Sequence, residues 1–431
     1  NILQECDIVG LSIYVWNEQL RLENAKRFKQ AKRKRKSHII FGGHQVPDAA
    51  EEFFKKNPYV DIAVHNEGEE TFKELCDAIY ENRDYSQIPN ISFMRDGNYF
   101  KNLNRKRLVD LSIVPSPYLS GTFDQLIRKF GGNRFLVLWE TNRGCPFQCT
   151  FCDWGSATAS KVNQFPLERI KKELEWIAKS KIEFVFVCDA NFGILPRDEE
   201  IATFAATLKG KYGYPHALSV QNTKNVKERA FGVQKILTEA GLSKGVTLSM
   251  QSLNERTLEF IKRDNISLET YHELQNRFRS SGVLTYSDLI LGLPGETLES
   301  WKNGIETLIN NGQHNRIQFN NLSLLPNAEM NTKEQRRLHG FITVKSGIVN
   351  VHGKYLDDFN EVMELQELVV GHNSMPPNDW ITARIYAWWV ALLYFDKLLM
   401  YPLIYLSFLV NRPVGNLLTK VINKAMNSSS T

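Results

Sequence analysis

Short apolar segments alternate with longer amphipathic segments from residue 135 to residue 325, and this alternation restricts the possible fold most strongly. The apolar segments have the length and the β-branched and aromatic content of buried strands, whereas the amphipathic segments have helical periodicity. Strands that alternate with helices form parallel sheets, because a parallel crossover takes about a dozen residues or more. The predicted strands are 135–141, 184–188, 217–221, 246–250, 285–291 and 316–325.

Helices are predicted in the gaps between these strands, at 166–179, 198–209, 227–240, 267–281 and 297–311. Six strand–helix units are too few for a closed eightfold barrel. The fold class is therefore predicted to be α/β, with a partial (β/α)6 barrel as its main domain.

The N-terminal part of the sequence shows a shorter run of the same alternation, with strands at 7–15, 38–42 and 61–64 and helices at 18–36, 48–57 and 69–81. This pattern predicts a Rossmann-like parallel sheet. The sequence begins at Asn1 and leads almost at once into a strand. We therefore expect that no signal peptide precedes this strand and that an upstream portion of the domain is missing. The predicted domains are 1–87, a connector at 88–134, the barrel at 135–331 and a helical C-terminal region at 332–431.

The net charge of +5 does not favour nucleic acid as a partner. Residues 32–36 are five consecutive bases, which we interpret as the solvated end of a helix. Near the C-terminus, 386–395 and 398–410 are very apolar but are separated by charged residues. Both are shorter than the roughly 20 residues of a membrane span, and they predict core or cap helices, with an interfacial helix as the alternative.

Three of the six cysteines, Cys145, Cys149 and Cys152, lie within eight residues just after the first barrel strand. This is a poor disulfide framework and a good metal-binding loop for a reducing, cytoplasmic compartment. Three thiolates can hold three irons of a 4Fe–4S cluster and leave the fourth iron open for chemistry. The alternative is a structural zinc site, which would need a fourth ligand, although the nearest histidines, His65 and His216, are distant in sequence.

The C-x3-C-x2-C spacing, the preceding strand and the aromatic Phe151 resemble the radical S-adenosylmethionine superfamily. The resemblance implies that S-adenosylmethionine chelates the open iron. It also implies that an electron donor such as flavodoxin or ferredoxin reduces the cluster, which then cleaves the cofactor to a 5′-deoxyadenosyl radical.

The resemblance also implies residues that bind S-adenosylmethionine at the ends of later strands. Gly292 and Gly295, in the sequence Gly-Leu-Pro-Gly, resemble the motif that packs against the adenosyl group, although a tight turn before a helix is the alternative. The remaining predicted contacts are Phe151, Asp189, Ser249 and Gln251, and helix capping is the alternative for Asp189.

In the N-terminal domain, Ser12 and the pair Gly42-Gly43 resemble the motifs that border cobalamin in radical enzymes with a cobalamin-binding domain. The family's Asp-x-His-x-x-Gly motif is absent, so neither His44 nor His65 is nominated as a cobalt ligand. The alternative is a domain that keeps the fold without the cofactor.

Together these resemblances imply a cobalamin-dependent methyltransferase that acts on an unactivated carbon of a small, natural-product-like molecule. The alternatives are a radical enzyme that catalyses cyclisation or rearrangement, and a non-catalytic metal-binding scaffold. No sequence feature identifies the catalytic residues or the substrate.

Overall fold

The computed structural model describes residues 6–31, 37–154, 160–223, 227–243, 245–348 and 362–428. The basic run at 32–36, the N-terminal residues 1–5 and the Ser-rich end at 429–431 lie outside the described residues.

The chain divides into two compact units. The first unit consists of Asn1–Val109, Thr150–Thr158 and Ser323–Val369, and the second unit of Asp110–Cys149, Ala159–Leu322 and Val370–Thr431. This grouping differs from the predicted domain ranges, because it divides the connector after Val109 and the C-terminal region after Val369. Residues 323–369 join the first unit through contacts between residues far apart in sequence, and local patterns do not indicate such contacts.

A five-stranded sheet forms the centre of the first unit, in the order β1-β2-β3-β4-β5. The strands are β1 Ile8–Ser12, β2 His38–Gly42, β3 Ile62–Val64, β4 Ile91–Arg95 and β5 Asn98–Lys101. The first three are parallel, as predicted, and β4 and β5 extend the sheet as an antiparallel hairpin. The carboxyl ends of β1, β2 and β3 therefore lie along one edge of the sheet.

Helices cover both faces of this sheet and explain why β3 and the centre of β2 are apolar and buried. They are α1 Glu18–Ala31, α2 Glu51–Lys56 and α3 Glu69–Tyr80. On β2, Ile39 and Phe41 pack in one cluster with Phe28 of α1, whereas Ile40 packs in another with Leu75 of α3. Successive side chains of a strand point to opposite faces, so a strand between two helical layers buries all of them.

The second unit contains the six predicted parallel strands in two sheets, ordered β10-β9-β6 and β11-β12-β13. The strands are β6 Leu136–Trp139, β9 Phe184–Val187, β10 Ala217–Ser219, β11 Val246–Thr247, β12 Thr285–Leu291 and β13 Arg316–Asn321. A short antiparallel pair, β7 Asn142–Arg143 and β8 Asn163–Gln164, follows β6.

The helices of this part of the chain are α4 Asp124–Lys129, α5 Leu167–Lys179, α6 Asp198–Tyr212, α7 Lys227–Glu239, α8 Glu255–Phe260, α9 Leu268–Ser280 and α10 Leu298–Asn310. The five predicted helices are all present. The sequence prediction lacks α4 and α8, because six residues make less than two turns and carry little periodicity.

The C-terminal region is helical from Pro377 onward but contains strands before it. Its elements are α11 Lys333–His339, β14 Ile342–Gly347, β15 Leu365–Gly371, α12 Pro377–Val390, α13 Met400–Val410 and α14 Val414–Ser428. The predicted helical C-terminal region is confirmed, and it also contains β14 and β15, which pair across more than 15 intervening residues and so give no hairpin signal. Tyr386 and Tyr394 are fully buried in a cluster with Trp301 of α10, so these helices contribute to the core of the second unit.

Among the described residues, no single helix is long and apolar enough to cross a membrane. Two consecutive helical segments, Pro377–Phe395 and Met400–Val410, meet that length and composition only when taken together, and they are bent by 86°.

Candidate functional site

The cysteine-rich loop connects β7 to β8, and its first turn is fixed by the backbone. Gly144 has φ +135°, and a Cβ atom there would lie 2.4 Å from the carbonyl oxygen of Lys161. The backbone N–H of Ser160 donates to the carbonyl oxygen of Cys145 over 2.8 Å. Only glycine tolerates this approach in the left-handed region, so Gly144 sets the path on which Cys145 follows.

Two of the predicted cluster ligands have nitrogen donors beside their sulfur atoms. Asn191 Nδ2 lies 3.2 Å from Cys145 Sγ, and a guanidinium nitrogen of Arg263 lies 4.0 Å from Cys149 Sγ. Arg263 is buried and also donates to the carbonyl oxygen of Ser249 over 2.6 Å. N–H groups directed at sulfur suit thiolates that carry negative charge, and hydrogen bonds of this kind tune iron–sulfur clusters. The donor set around Cys145 and Cys149 therefore fits a cluster.

The third predicted ligand, Cys152, and the adjacent Phe151 belong to the first unit and are half-buried. In the described part of the chain, no group of three or more His, Cys, Asp or Glu side chains has the arrangement of a metal site. The assignment of Cys145, Cys149 and Cys152 as the ligand set therefore stays a prediction from the spacing of these cysteines in the sequence.

Asp189, at the carboxyl end of β9, holds the base of the cysteine loop. Its side chain is fully buried, and its two oxygens accept hydrogen bonds from the backbone N–H groups of Thr141 and Asn142, the Thr141 hydroxyl and the Asn142 amide. Burial raises the pKa of Asp189 to about 7, although the hydrogen bonds from Thr141 and Asn142 oppose this shift. The predicted contact of Asp189 with S-adenosylmethionine stays a prediction, and the geometry indicates a second role in positioning the loop.

Cys188, next to Asp189, is half-buried, and burial raises the pKa of its thiol to about 11. A thiol that stays protonated is a poor metal ligand. This agrees with its omission from the predicted ligand set.

Ser249 and Gln251, both predicted to contact S-adenosylmethionine, follow β11 and are tied to β12. The Ser249 hydroxyl donates to Asp288 Oδ2 over 2.6 Å, and the backbone of Gln251 makes a parallel bridge to Leu289. Gln251 has φ +64°, and its buried Oε1 has no hydrogen-bond partner among the described residues. A buried acceptor without a donor is costly, so Gln251 fits a site that a ligand donor completes.

The Gly-Leu-Pro-Gly turn after β12 is buried, with φ +97° at Gly292 and +85° at Gly295. A Cβ atom at Gly295 would lie 2.9 Å from the ring of Phe260 in α8, so packing within the protein already requires glycine there. Thr297 caps α10 in a capping box with Ser300. The turn is therefore a tight turn before a helix, which the sequence analysis gave as the alternative. Its predicted contact with the adenosyl group stays a prediction.

The predicted cobalamin residues lie together at the carboxyl edge of the first unit's sheet. Ser12 ends β1, Gly42 ends β2, and the two are paired in the parallel register. Gly43 has φ +101°, and a Cβ atom there would lie 2.5 Å from the carbonyl oxygen of Ile13. Ligands of parallel α/β sheets bind at this edge, so the position of these residues fits the prediction.

His65, which was not nominated as a cobalt ligand, is buried. Its Nε2 lies 2.8 Å from the Ser92 hydroxyl. Burial, with the nearby charge of Lys101, lowers the pKa of His65 to about 4, so its environment is that of a neutral core histidine.

Several residues of the site are absent from the sequence prediction. Asn191 lies in the same strand-end segment as Asp189, and its polarity at that position was a usable signal. Arg263 gave no signal, because Cys149 lies 114 positions away in sequence. The same holds in the first unit for Asn327, which donates to the carbonyl oxygen of His44, and for Glu364, which accepts from the backbone N–H of Gln19.

Comparison with known proteins identifies relatives. A family profile described as the Radical SAM superfamily matches residues 139–308. The cobalamin-dependent radical SAM methyltransferase TokK of Streptomyces tokunonensis is 41% identical over 380 residues, which are 88% of this chain and 55% of that protein. The 2-(S-pantetheinyl)-carbapenam-3-carboxylate methyltransferase of Streptantibioticus cattleyicolor is 40% identical over 87% of this chain and 55% of its own length. The chain thus spans about half the length of these relatives.

Solved structures share the fold. The cobalamin-dependent S-adenosylmethionine radical enzyme OxsB, with aqua-cobalamin and S-adenosylmethionine bound, matches with a TM-score of 0.64 and 18% identity over 99% of this chain and 63% of its own. The radical S-adenosylmethionine methyltransferase TsrM of Kitasatospora setae, with cobalamin and a [4Fe-4S] cluster bound, matches with a TM-score of 0.63 and 16% identity over 89% of this chain and 78% of its own.

Proposed function

We propose that the chain belongs to the radical S-adenosylmethionine superfamily and is the core of a cobalamin-dependent enzyme that methylates an unactivated carbon. One observation carries the proposal: a single chain combines the cysteine loop after β6 with a second carboxyl edge on which Ser12 and Gly42 are paired. Two relatives with 40% identity or more are named as methyltransferases, which favours methylation over other radical reactions.

The cofactors are a 4Fe–4S cluster, S-adenosylmethionine and cobalamin. When they are bound, the cluster and S-adenosylmethionine supply a radical that abstracts hydrogen, and cobalamin supplies a transferable methyl group. Cys145, Cys149 and Cys152 would hold the cluster, while Ser12, Gly42 and Gly43 would border cobalamin.

The residues around the cysteine loop would stabilise negative charge and position the loop. Asn191 and Arg263 donate toward the ligand sulfurs and so stabilise their negative charge. Asp189 fixes Thr141 and Asn142, which lead directly into the loop. The buried Oε1 of Gln251, which has no partner among the described residues, would accept a hydrogen bond from a ligand beyond the end of β11. These groups are preorganised, so they need little rearrangement during the reaction.

We propose a small, natural-product-like substrate, and the pantetheinyl carbapenam carboxylate in the name of one relative indicates the chemical class to test first. We further propose flavodoxin or ferredoxin as the electron donor. We also propose a cytoplasmic location, which is supported by the six cysteines, all of them described residues, forming no disulfide with one another. The ranges 1–87, 88–134, 135–331 and 332–431 remain our proposal for its functional domains.

The test uses the full-length protein, purified without oxygen, reconstituted with iron and sulfide and supplied with cobalamin, a reductant and the candidate substrate. A methylase of this type consumes two S-adenosylmethionine molecules per turnover, one as the radical source and one as the methyl donor. We expect 5′-deoxyadenosine and S-adenosylhomocysteine in equal amounts. Formation of 5′-deoxyadenosine alone would indicate cyclisation or rearrangement, and failure to retain iron would indicate a scaffold.

A further inference from the structure

The loop that follows β2, residues 43–48, is held by a side chain from the far end of the first unit. Asn327 Nδ2 donates to the carbonyl oxygens of His44 over 3.1 Å and Val46 over 2.9 Å, and its Oδ1 accepts from the backbone N–H of Asp48 over 2.8 Å. An amide side chain has two N–H donors and one oxygen acceptor, and here each makes a bond to the same loop. One distant side chain thus provides hydrogen-bond partners for three backbone groups of the loop.

The same loop begins with the predicted cobalamin residues. Gly43 opens it in the left-handed region, and its close approach to Ile13 leaves no room for a side chain. Because a ligand at this edge meets the backbone of the loop, the position of that backbone decides how closely the ligand can approach. Asn327 bonds to this backbone although it lies 279 positions after Asp48 and 283 positions after His44 in the sequence.

The segment around Asn327 also contacts the end of the cysteine loop. The backbone N–H of Met330 donates to the carbonyl oxygen of Thr150 over 2.9 Å. Asp153, which follows Cys152 directly, has Oδ1 3.8 Å from His44 Nδ1 of loop 43–48. These residues all belong to the first unit, so loop 43–48, the end of the cysteine loop from Thr150 to Asp153 and the segment 327–330 form one connected set of contacts.

We propose that the segment 327–330 is a clamp that fixes the cobalamin-binding loop 43–48 and the end of the cysteine loop relative to each other, with Asn327 as its positioning residue. Transfer of a methyl group to a carbon from which hydrogen has been abstracted requires the two cofactors at a defined separation. The inference rests on the proposed function, because it assigns to Asn327 a role in placing cobalamin.

Glu364 shows that this C-terminal part of the first unit supports the same edge at a second point. Its carboxylate is buried and accepts from the backbone N–H groups of Gln19 over 2.8 Å and Leu20 over 3.0 Å. Those N–H groups are at the start of α1, the helix that follows β1 and Ser12. Glu18 in turn accepts from the Gln45 amide of loop 43–48 over 3.0 Å.

The test compares Asn327→Ala and Asn327→Asp with the wild-type full-length protein. The aspartate keeps the shape and the acceptor but loses both donors. We expect each variant to raise the dissociation constant for cobalamin about ten-fold, measured by equilibrium binding in the dark, because loop carbonyls lose their partners. Iron content should stay at the wild-type value. With substrate present, the ratio of 5′-deoxyadenosine to S-adenosylhomocysteine should rise above one.

Asn57→Ala is the matched control. Asn57 is a half-buried asparagine of the first unit whose amide donates to the Phe53 carbonyl oxygen and accepts from Tyr59, away from loop 43–48. It should match the wild type in cobalamin affinity and product ratio, even if its unfolding temperature falls as far as that of Asn327→Ala. Wild-type cobalamin affinity in both Asn327 variants would overturn the clamp alone, whereas a wild-type protein that binds no cobalamin would overturn the clamp and the proposed function together.

Discussion

The two units hold their ligand-facing loops in different ways. In the second unit, the start of the cysteine loop is fixed by Asp189 and Asn191, which follow the neighbouring strand β9. In the first unit, loop 43–48 is fixed by Asn327, and the following edge is supported by Glu364. The first arrangement uses the next strand of the same sheet, whereas the second needs a segment about 280 residues further along. Mutations beside the cysteine loop should therefore change the cluster, whereas mutations of the distant supports should change the position of loop 43–48 and leave the cluster intact.

The largest expected effect concerns the cysteine loop. Cys149→Ala should abolish reductive cleavage of S-adenosylmethionine, since it removes one of three ligands that the cluster needs. The measurement is 5′-deoxyadenosine formation after anaerobic reconstitution. Cys76→Ala, which changes a half-buried cysteine of α3, should keep full cleavage. Full activity in Cys149→Ala would falsify the ligand assignment.

Asp189→Asn tests the local support of the same loop. The amide can accept at only one of its two atoms, so buried donors of Thr141 and Asn142 lose a partner. We expect a loss of about 1–3 kcal/mol in the free energy of unfolding and a lower iron content after reconstitution. Asp77→Asn, on the exposed side of α3, is the control and should change stability by less than about 0.5 kcal/mol. A normal iron content in Asp189→Asn would show that the loop does not depend on this support.

Glu364→Gln tests the distant support in the first unit. Loss of the negative charge at the start of α1 should cost about 1 kcal/mol of stability, because the carboxylate satisfies two backbone N–H groups there. Denaturant unfolding measures the change. Glu334→Gln, an exposed acidic residue in the first turn of α11, is the control. If both variants lose the same free energy of unfolding, the contact of Glu364 with Gln19 and Leu20 does not stabilise the protein more than an exposed charge does.

Acidification should affect the two units in opposite directions. The pKa of His65 is lowered from 6.5 to about 4, so its contribution to stability is present above pH 6.5 and is lost as the pH falls toward 4. The pKa of Asp189 is raised from 3.8 to about 7, so its contribution is present below pH 3.8 and is lost as the pH rises toward 7. Compared with wild type between pH 4 and 7, His65→Gln should show a shallower rise of stability with pH, and Asp189→Asn a steeper one. An unchanged slope in either variant would contradict the assignment for that residue.

The smallest effect is expected for Asn191→Ala. A donor to a ligand sulfur stabilises the reduced, more negative cluster, so its removal should make the reduction potential more negative. A redox titration followed by electron paramagnetic resonance measures the shift, with little change in the unfolding temperature. Asn310→Ala, at the end of α10, is the control. A potential equal to that of the control would mean that the Asn191 contact does not act on the cluster.

Much of the fold could be predicted because its determinants are local. Strand β2 is predicted at 38–42 and β12 at 285–291, and both agree residue by residue with the structure. Their apolar content reflects burial on both faces, which each residue type reports independently of its distant partners. The spacing of Cys145, Cys149 and Cys152 is likewise a local property.

Only the tertiary structure assigned residues 323–369 to the first unit and gave Asn327 and Glu364 their partners. A hydrogen bond between residues hundreds of positions apart leaves no periodic trace, because any asparagine or glutamate looks alike until the chain has folded. Asp189 shows the same limit at shorter range. Its place at a strand end was readable, but its four hydrogen bonds to Thr141 and Asn142 depend on how β9 packs beside β6. The sequence determined which residue types reach each carboxyl edge, and packing decided which of them hold the loops.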